Sequence, residues 1–77
     1  MEELIELLRE VRDDVDFESI KTLIDDSVLD SFDILQIINL IDEKYDISIP
    51  AVEVVANNFN SVEAMLRMIN RLKGTEG

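Results

Sequence analysis

The chain reads as all-α: a four-helix up-down bundle with a long first loop and a short third helix. Three observations predict this. Apolar residues recur at helical spacing in three separate stretches, Leu4–Val15, Ile34–Tyr45 and Val62–Leu72. Residues that start or stop helices flank them: Asp30 before the second, Asn60 or Ser61 before the last, and Gly74 after it. The one cluster with strand propensity, Val52, Val54 and Val55, has no second strand to pair with. Seventy-seven residues make one domain, 1–77.

The first helix is expected from Glu2 to Asp14. Leu4, Leu7, Leu8, Val11 and Val15 form its apolar stripe, with Glu3, Glu6, Arg9, Glu10 and Asp13 on the wet side. Val15 to Leu29 is a long connection. Its Phe17, Ile20, Leu23, Ile24 and Val28 should pin it across the bundle, with a short turn of helix around Glu18–Leu23. Asp25-Asp26-Ser27 reads as a turn that leads into the next helix.

The second helix spans Ser31 to Tyr45. Ile34, Ile37, Ile38, Ile41 and Tyr45 fall at i, i+3, i+4, i+7 and i+11, so they share one face. Phe32 lies nearly opposite that face, beside Gln36, Asn39 and Glu43, and Leu35 lies on the flank. A large aromatic on that side is surplus to the core. Asp30 is a good N-cap, and Asp33 supplies a first-turn carboxylate, as in a capping box. Ser31 then occupies the first helical position, and its hydroxyl is not needed for capping. A helix N-terminus offers unpaired N–H groups and the positive end of the dipole, so a phosphate ester there would be well placed.

Asp46 to Ile49 connects to a short third helix, expected over Pro50 to Val55 with proline in its first turn. Asn57 to Ser61 is the next break. The fourth helix has Glu63 in its first turn and Val62, Met65, Leu66, Ile69 and Leu72 as its stripe. Arg67, Arg71 and Lys73 come late, near the negative end of the dipole.

Composition removes several function classes. There are no cysteines and no histidines, which excludes disulfides, thiolate metal sites and a Ser-His-Asp triad. The formal charge is −11, from eighteen acidic and seven basic residues. That argues against nucleic acid and favours basic partners reached by electrostatic steering. Asp25 to Asp33 lacks the glycine and the closing glutamate of an EF-hand loop, so no metal site is expected. No long apolar run suggests a membrane span or a signal peptide, and a cytoplasmic monomer is expected. The chain is too small for a deep catalytic centre with its supporting shell, and it is not expected to be an enzyme.

Asp30-Ser31-Phe32-Asp33-Ile34-Leu35, the acidic amphipathic helix that follows, and the exit Tyr45-Asp46-Ile47-Ser48-Ile49-Pro50 resemble the acyl carrier protein family. The usual form is Asp-Ser-Leu, an acidic helix, then Phe-Asp and Ile-Pro. Leu29 to Pro50 matches without a gap. The resemblance implies that Ser31 carries 4′-phosphopantetheine through a phosphodiester and that the arm's thiol holds acyl groups as thioesters. It implies that Asp30 helps a phosphopantetheinyl transferase to position Ser31. It also implies an acyl- or aminoacyl-activating ligase, and synthase or transferase enzymes with basic docking patches. Phe32 and Leu35 would be the apolar part of the docking surface, and Asp33, Asp42, Glu43 and Glu53 its acidic rim.

The chain departs from the fatty-acid-synthesis carriers in four places. Leu29 stands where a glycine is common, Gln36 replaces a frequent glutamate, Lys44 interrupts the acidic run, and Phe32 replaces leucine. The segment from Pro50 to the fourth helix is also longer than theirs. These features resemble D-alanyl and aminoacyl or peptidyl carriers of specialised pathways, which stay open beside an acyl carrier. A reading of a different class is an unmodified acidic helical adaptor that binds a basic partner through its second helix. Cargo, chain length and pathway are not legible in the sequence.

Overall fold

A computed structural model of the protein describes residues 2–74. Four α-helices follow one another: α1 Glu2–Val11, α2 Ser31–Tyr45, α3 Ala56–Phe59 and α4 Val62–Leu72, with a 3-10 turn at Ala51–Glu53 before α3. The described residues form no strand. α1 packs on α2 and on α4, and α3 packs on α4.

The helical stripes become the core. Leu4, Leu7 and Leu8 of α1, Ile37 and Ile41 of α2, and Val62, Met65, Met68 and Ile69 of α4 are buried together with Phe17, Leu23, Leu29 and Phe59. Ile34, Ile38 and Tyr45 lie half-buried at the edge of that cluster. Met68, outside the expected stripe, is fully buried, and Leu66 is half-buried. The apolar face of α4 is therefore centred between Met65 and Met68 and not over Leu66.

α1 ends at Val11, three residues before the expected Asp14. The Arg12 N–H closes the last turn on the Leu8 carbonyl at 3.1 Å. Beyond it come Asp13, Asp14, Val15 and Asp16, all weak helix formers. The connection that follows contains turns and no helix at Glu18–Leu23. Asn60 takes the amides that would close the end of such a helix. Its Oδ1 accepts the N–H groups of Ile24 (2.9 Å) and Asp25 (3.0 Å), and its carbonyl accepts that of Leu23 (2.9 Å). Three consecutive amides are thus committed to the start of α4, where a local helix would need them for itself. Phe17 and Leu23 are buried and Ile20, Ile24 and Val28 half-buried against the core, anchoring the connection as expected; Leu29, outside the expected set, is buried too. The turn at Asp25–Ser27 is present, with Ser27 in the left-handed region at φ 58°.

α2 has the expected limits. Asp46 caps its end in the left-handed conformation and donates its N–H to the Asp42 carbonyl. The third element differs from expectation. Pro50 precedes a 3-10 turn of three residues, Val54 and Val55 leave helical geometry, and α3 begins at Ala56. Two β-branched residues in a row favour extended backbone. Phe59 supplies the reason for a helix where a break was expected: it is buried, and α3 is the turn that delivers it to α4. Asn58 ties α3 back to the 3-10 turn through Glu53, donating to its carbonyl (2.7 Å) and its Oε1 (3.0 Å). At the other end of α4, Arg71 pairs with Glu53 at 2.8 Å, and the Lys73 ammonium lies 5.5 Å from the centre of the Tyr45 ring.

Candidate functional site

The start of α2 is built by two aspartates. Asp30, in extended backbone, accepts the Asp33 N–H on its carboxylate at 2.9 Å. Asp33 returns the contact, accepting the Asp30 N–H at 3.3 Å. This is a complete capping box, with aspartate in the place usually taken by glutamate or glutamine. The Ile34 N–H already bonds the Asp30 carbonyl at 3.0 Å.

Ser31 occupies the first helical position between these two residues and is exposed. Among the described residues, neither its hydroxyl nor the N–H groups of Ser31 and Phe32 has a protein partner. Those two N–H groups are the donors that the box leaves over at a positive helix end. A phosphate ester on the hydroxyl would meet donors that nothing else uses, so the residues present suit the group that the sequence implies.

Beside Ser31 the surface is apolar. Phe32, next in the chain, is 65% exposed, Leu35 is 55% exposed, and Val54, which lines a hollow with Ser31, is exposed as well; Val52 (81%) and Val55 are exposed in the same segment as Val54. Two hollows that share Ile34 and Val54 open here. One of about 240 Å³ is lined by Ser31, Ile34, Leu35, Ile38 and Val54. The other, of about 80 Å³, is lined by Ile24, Val55, Ala56 and the buried Phe59 on the far side of Ile34 and Val54. Ser31 lines the first hollow and not the second. Phe32 and Leu35 lie where the sequence put them, outside the core. Val52, Val54 and Val55 were missed as surface residues. Their signal was that a cluster with strand propensity had no sheet to join, and half-committed valines of this kind stay exposed.

The expected acidic rim divides. Glu43 is exposed on α2. Asp42 is half-buried and accepts the Ile49 N–H at 3.2 Å, so it secures the exit from the helix. Glu53 is engaged by Asn58 and by Arg71, whose guanidinium holds its carboxyl below the usual carboxylate range. Asp33 must be corrected. It is only 7% exposed, and Arg12 Nη1 binds its Oδ2 at 2.8 Å, so it belongs to the scaffold and not to a docking rim. The sequence carried the signal: Asp33, Ile37 and Ile41 form an i, i+4, i+8 row, and the two isoleucines are buried. Arg12, which no sequence pattern singled out, is the cation that makes this burial affordable.

Among the described residues, no group of acidic side chains is arranged to hold a metal ion. No helix of the described residues is long and apolar enough to cross a membrane. No protein-family model matches the chain, and no curated protein or solved structure matches it at a significant level.

Proposed function

We propose that the chain is an acyl carrier protein in which Ser31 bears 4′-phosphopantetheine. The observation that carries this reading is an exposed serine at the first position of α2 whose helix is capped without it. A phosphopantetheinyl transferase would supply the arm from coenzyme A. The Ser31 oxygen forms a bond to phosphorus, the diphosphate linkage of coenzyme A breaks, the nucleotide leaves, and the serine proton passes to the transferase. When attached, the arm supplies a thiol that holds cargo as a thioester.

The chain's own residues do the rest. Asp30 and Asp33 set the helix tip, which would offer the N–H groups of Ser31 and Phe32 to a phosphodiester on Ser31. Phe32, Leu35 and the exposed valines give partner enzymes an apolar surface to cover, with Glu43 exposed about two to three turns further along α2 for their basic groups. Tethering raises the effective concentration of cargo at each partner. The apolar hollow that Ser31 lines favours an acyl chain over D-alanine or another charged amino acid.

Incubation with coenzyme A, magnesium and a broad-range phosphopantetheinyl transferase tests this by intact mass. The wild type gains one phosphopantetheine and Ser31→Ala gains none. A gain that survives Ser31→Ala, or no gain at all, overturns the proposal. The same apolar patch also fits an unmodified adaptor. That reading requires Ser31→Ala to retain partner binding and cellular function, whereas the carrier reading requires function to be lost.

A further inference from the structure

Arg12 lies at the end of α1, nineteen positions before the serine, yet it reaches the tip of α2. Its guanidinium is divided between three partners. Nε and Nη2 grip Asp14 at 3.0 and 3.2 Å, while Nη1 binds Asp33 Oδ2 at 2.8 Å and approaches the Val28 carbonyl at 3.4 Å. Asp33 Oδ2 is the same atom that accepts the Asp30 N–H. One arginine therefore connects the end of α1, the end of the long connection and the capping box that brackets Ser31.

The Asp33 side chain is 10% exposed, whereas that of Asp14 is 65% exposed. Removing the cation leaves a buried carboxylate with no counter-charge, the costly way to break such a pair. Asp33 would then turn towards water. That turn releases the Asp30 N–H, which Asp33 Oδ2 accepts, and loosens the residues on both sides of Ser31. The exposed contact to Asp14 contributes little by itself; it keeps the guanidinium aimed at Asp33.

We infer that Arg12 is a positioning residue for modification of Ser31, acting through Asp33 to hold the α2 tip in the geometry a transferase needs. This rests on the carrier reading. Lysine substitutes only in part, because it brings the charge but not the planar fork that serves Asp14 and Asp33 together.

The test compares wild type, Arg12→Met, Arg12→Lys and Ile69→Val as apo substrates of one phosphopantetheinyl transferase, each first shown to be folded by circular dichroism. Ile69→Val loosens the buried face of α4 and leaves the α2 tip intact. For Arg12→Met, kcat is expected to fall roughly 10- to 100-fold, the scale of a small misplacement of a reacting group, with little change in KM. Arg12→Lys recovers part of the loss, and Ile69→Val reacts at the wild-type rate. Folded Arg12→Met reacting like wild type overturns the role of Arg12 while leaving the carrier reading intact. An equal loss in Ile69→Val overturns it as well, since the effect would then be one of stability. A wild type that takes no arm overturns the carrier reading and this role with it.

Discussion

Replacing Asn60 by alanine removes the clamp that fixes the long connection to α4. Three side-chain hydrogen bonds disappear: those from the Ile24 and Asp25 amides to Oδ1, and that from Nδ2 to Asp25 Oδ2 at 3.1 Å. The last is exposed and counts for little. The bond from Ile24 is part-buried, so its loss costs the net bond and also strands an amide away from water. Counting the part-buried Ile24 amide alone, at ~1 kcal/mol for the bond and 1–3 kcal/mol for the stranded donor, the loss comes to about 2–4 kcal/mol, to which the exposed Asp25 bond adds little. A domain of this size has little more than ~5 kcal/mol to lose. At roughly 4–8 °C per kcal/mol, even the lower figure lowers Tm by about 8–16 °C. A thermal melt followed by circular dichroism reads this directly, and amide exchange should quicken first at Ile24 and Asp25. Asn60→Asp keeps an acceptor for both amides but sets a second carboxylate against Asp25. It should fall between wild type and alanine, and move towards wild type as salt is added. An Asn60→Ala variant that melts like wild type would refute the view that Asn60 organises this connection.

Three further outcomes follow from the charges. Asp33→Ala should lower Tm, because it opens the capping box and leaves Arg12 without its buried partner, whereas Glu43→Ala should leave Tm unchanged; equal effects would return Asp33 to the surface. Arg71 holds the Glu53 carboxyl below its ordinary value of 4.5, so the stabilisation is present above that pH and is lost as pH falls through the lower folded value. The difference in Tm between wild type and Glu53→Gln should therefore shrink as pH is lowered from neutral into the acid range, and a constant difference would contradict the pairing. Eight acidic residues and one lysine lie from Asp25 to Glu53, so millimolar magnesium and added sodium chloride should both raise Tm, and a melt indifferent to both would contradict mutual repulsion.

Local features and tertiary ones were legible to different degrees. The limits of α2, its capping by Asp30 and Asp33, and the exposure of Ser31 and Phe32 all follow from residues within one or two turns of each other. Helical phase and cap chemistry were enough to read them. The Ser61 cap of α4, which accepts the Ala64 N–H at 3.1 Å, is of the same kind, as is the stop at Gly74 with φ 76°. What failed depended on distant partners. Turns stand at Glu18–Leu23 where a helix was expected, and Asn60, far along the chain, takes the Leu23, Ile24 and Asp25 amides that would close that helix's end. The burial of Asp33 depends on Arg12, and α3 forms where Phe59 can reach α4. Propensity carries no information about such partners, and in each case the tertiary contact prevailed over the local preference.

The most direct test of the central claim is to isolate the protein from its native cells and locate any covalent group by tandem mass spectrometry. The chain has five serines, at positions 19, 27, 31, 48 and 61. The account predicts phosphopantetheine on the peptide containing Ser31 and on no other. Bare Ser31 in cells that load other carriers, or the arm on a different serine, would contradict it.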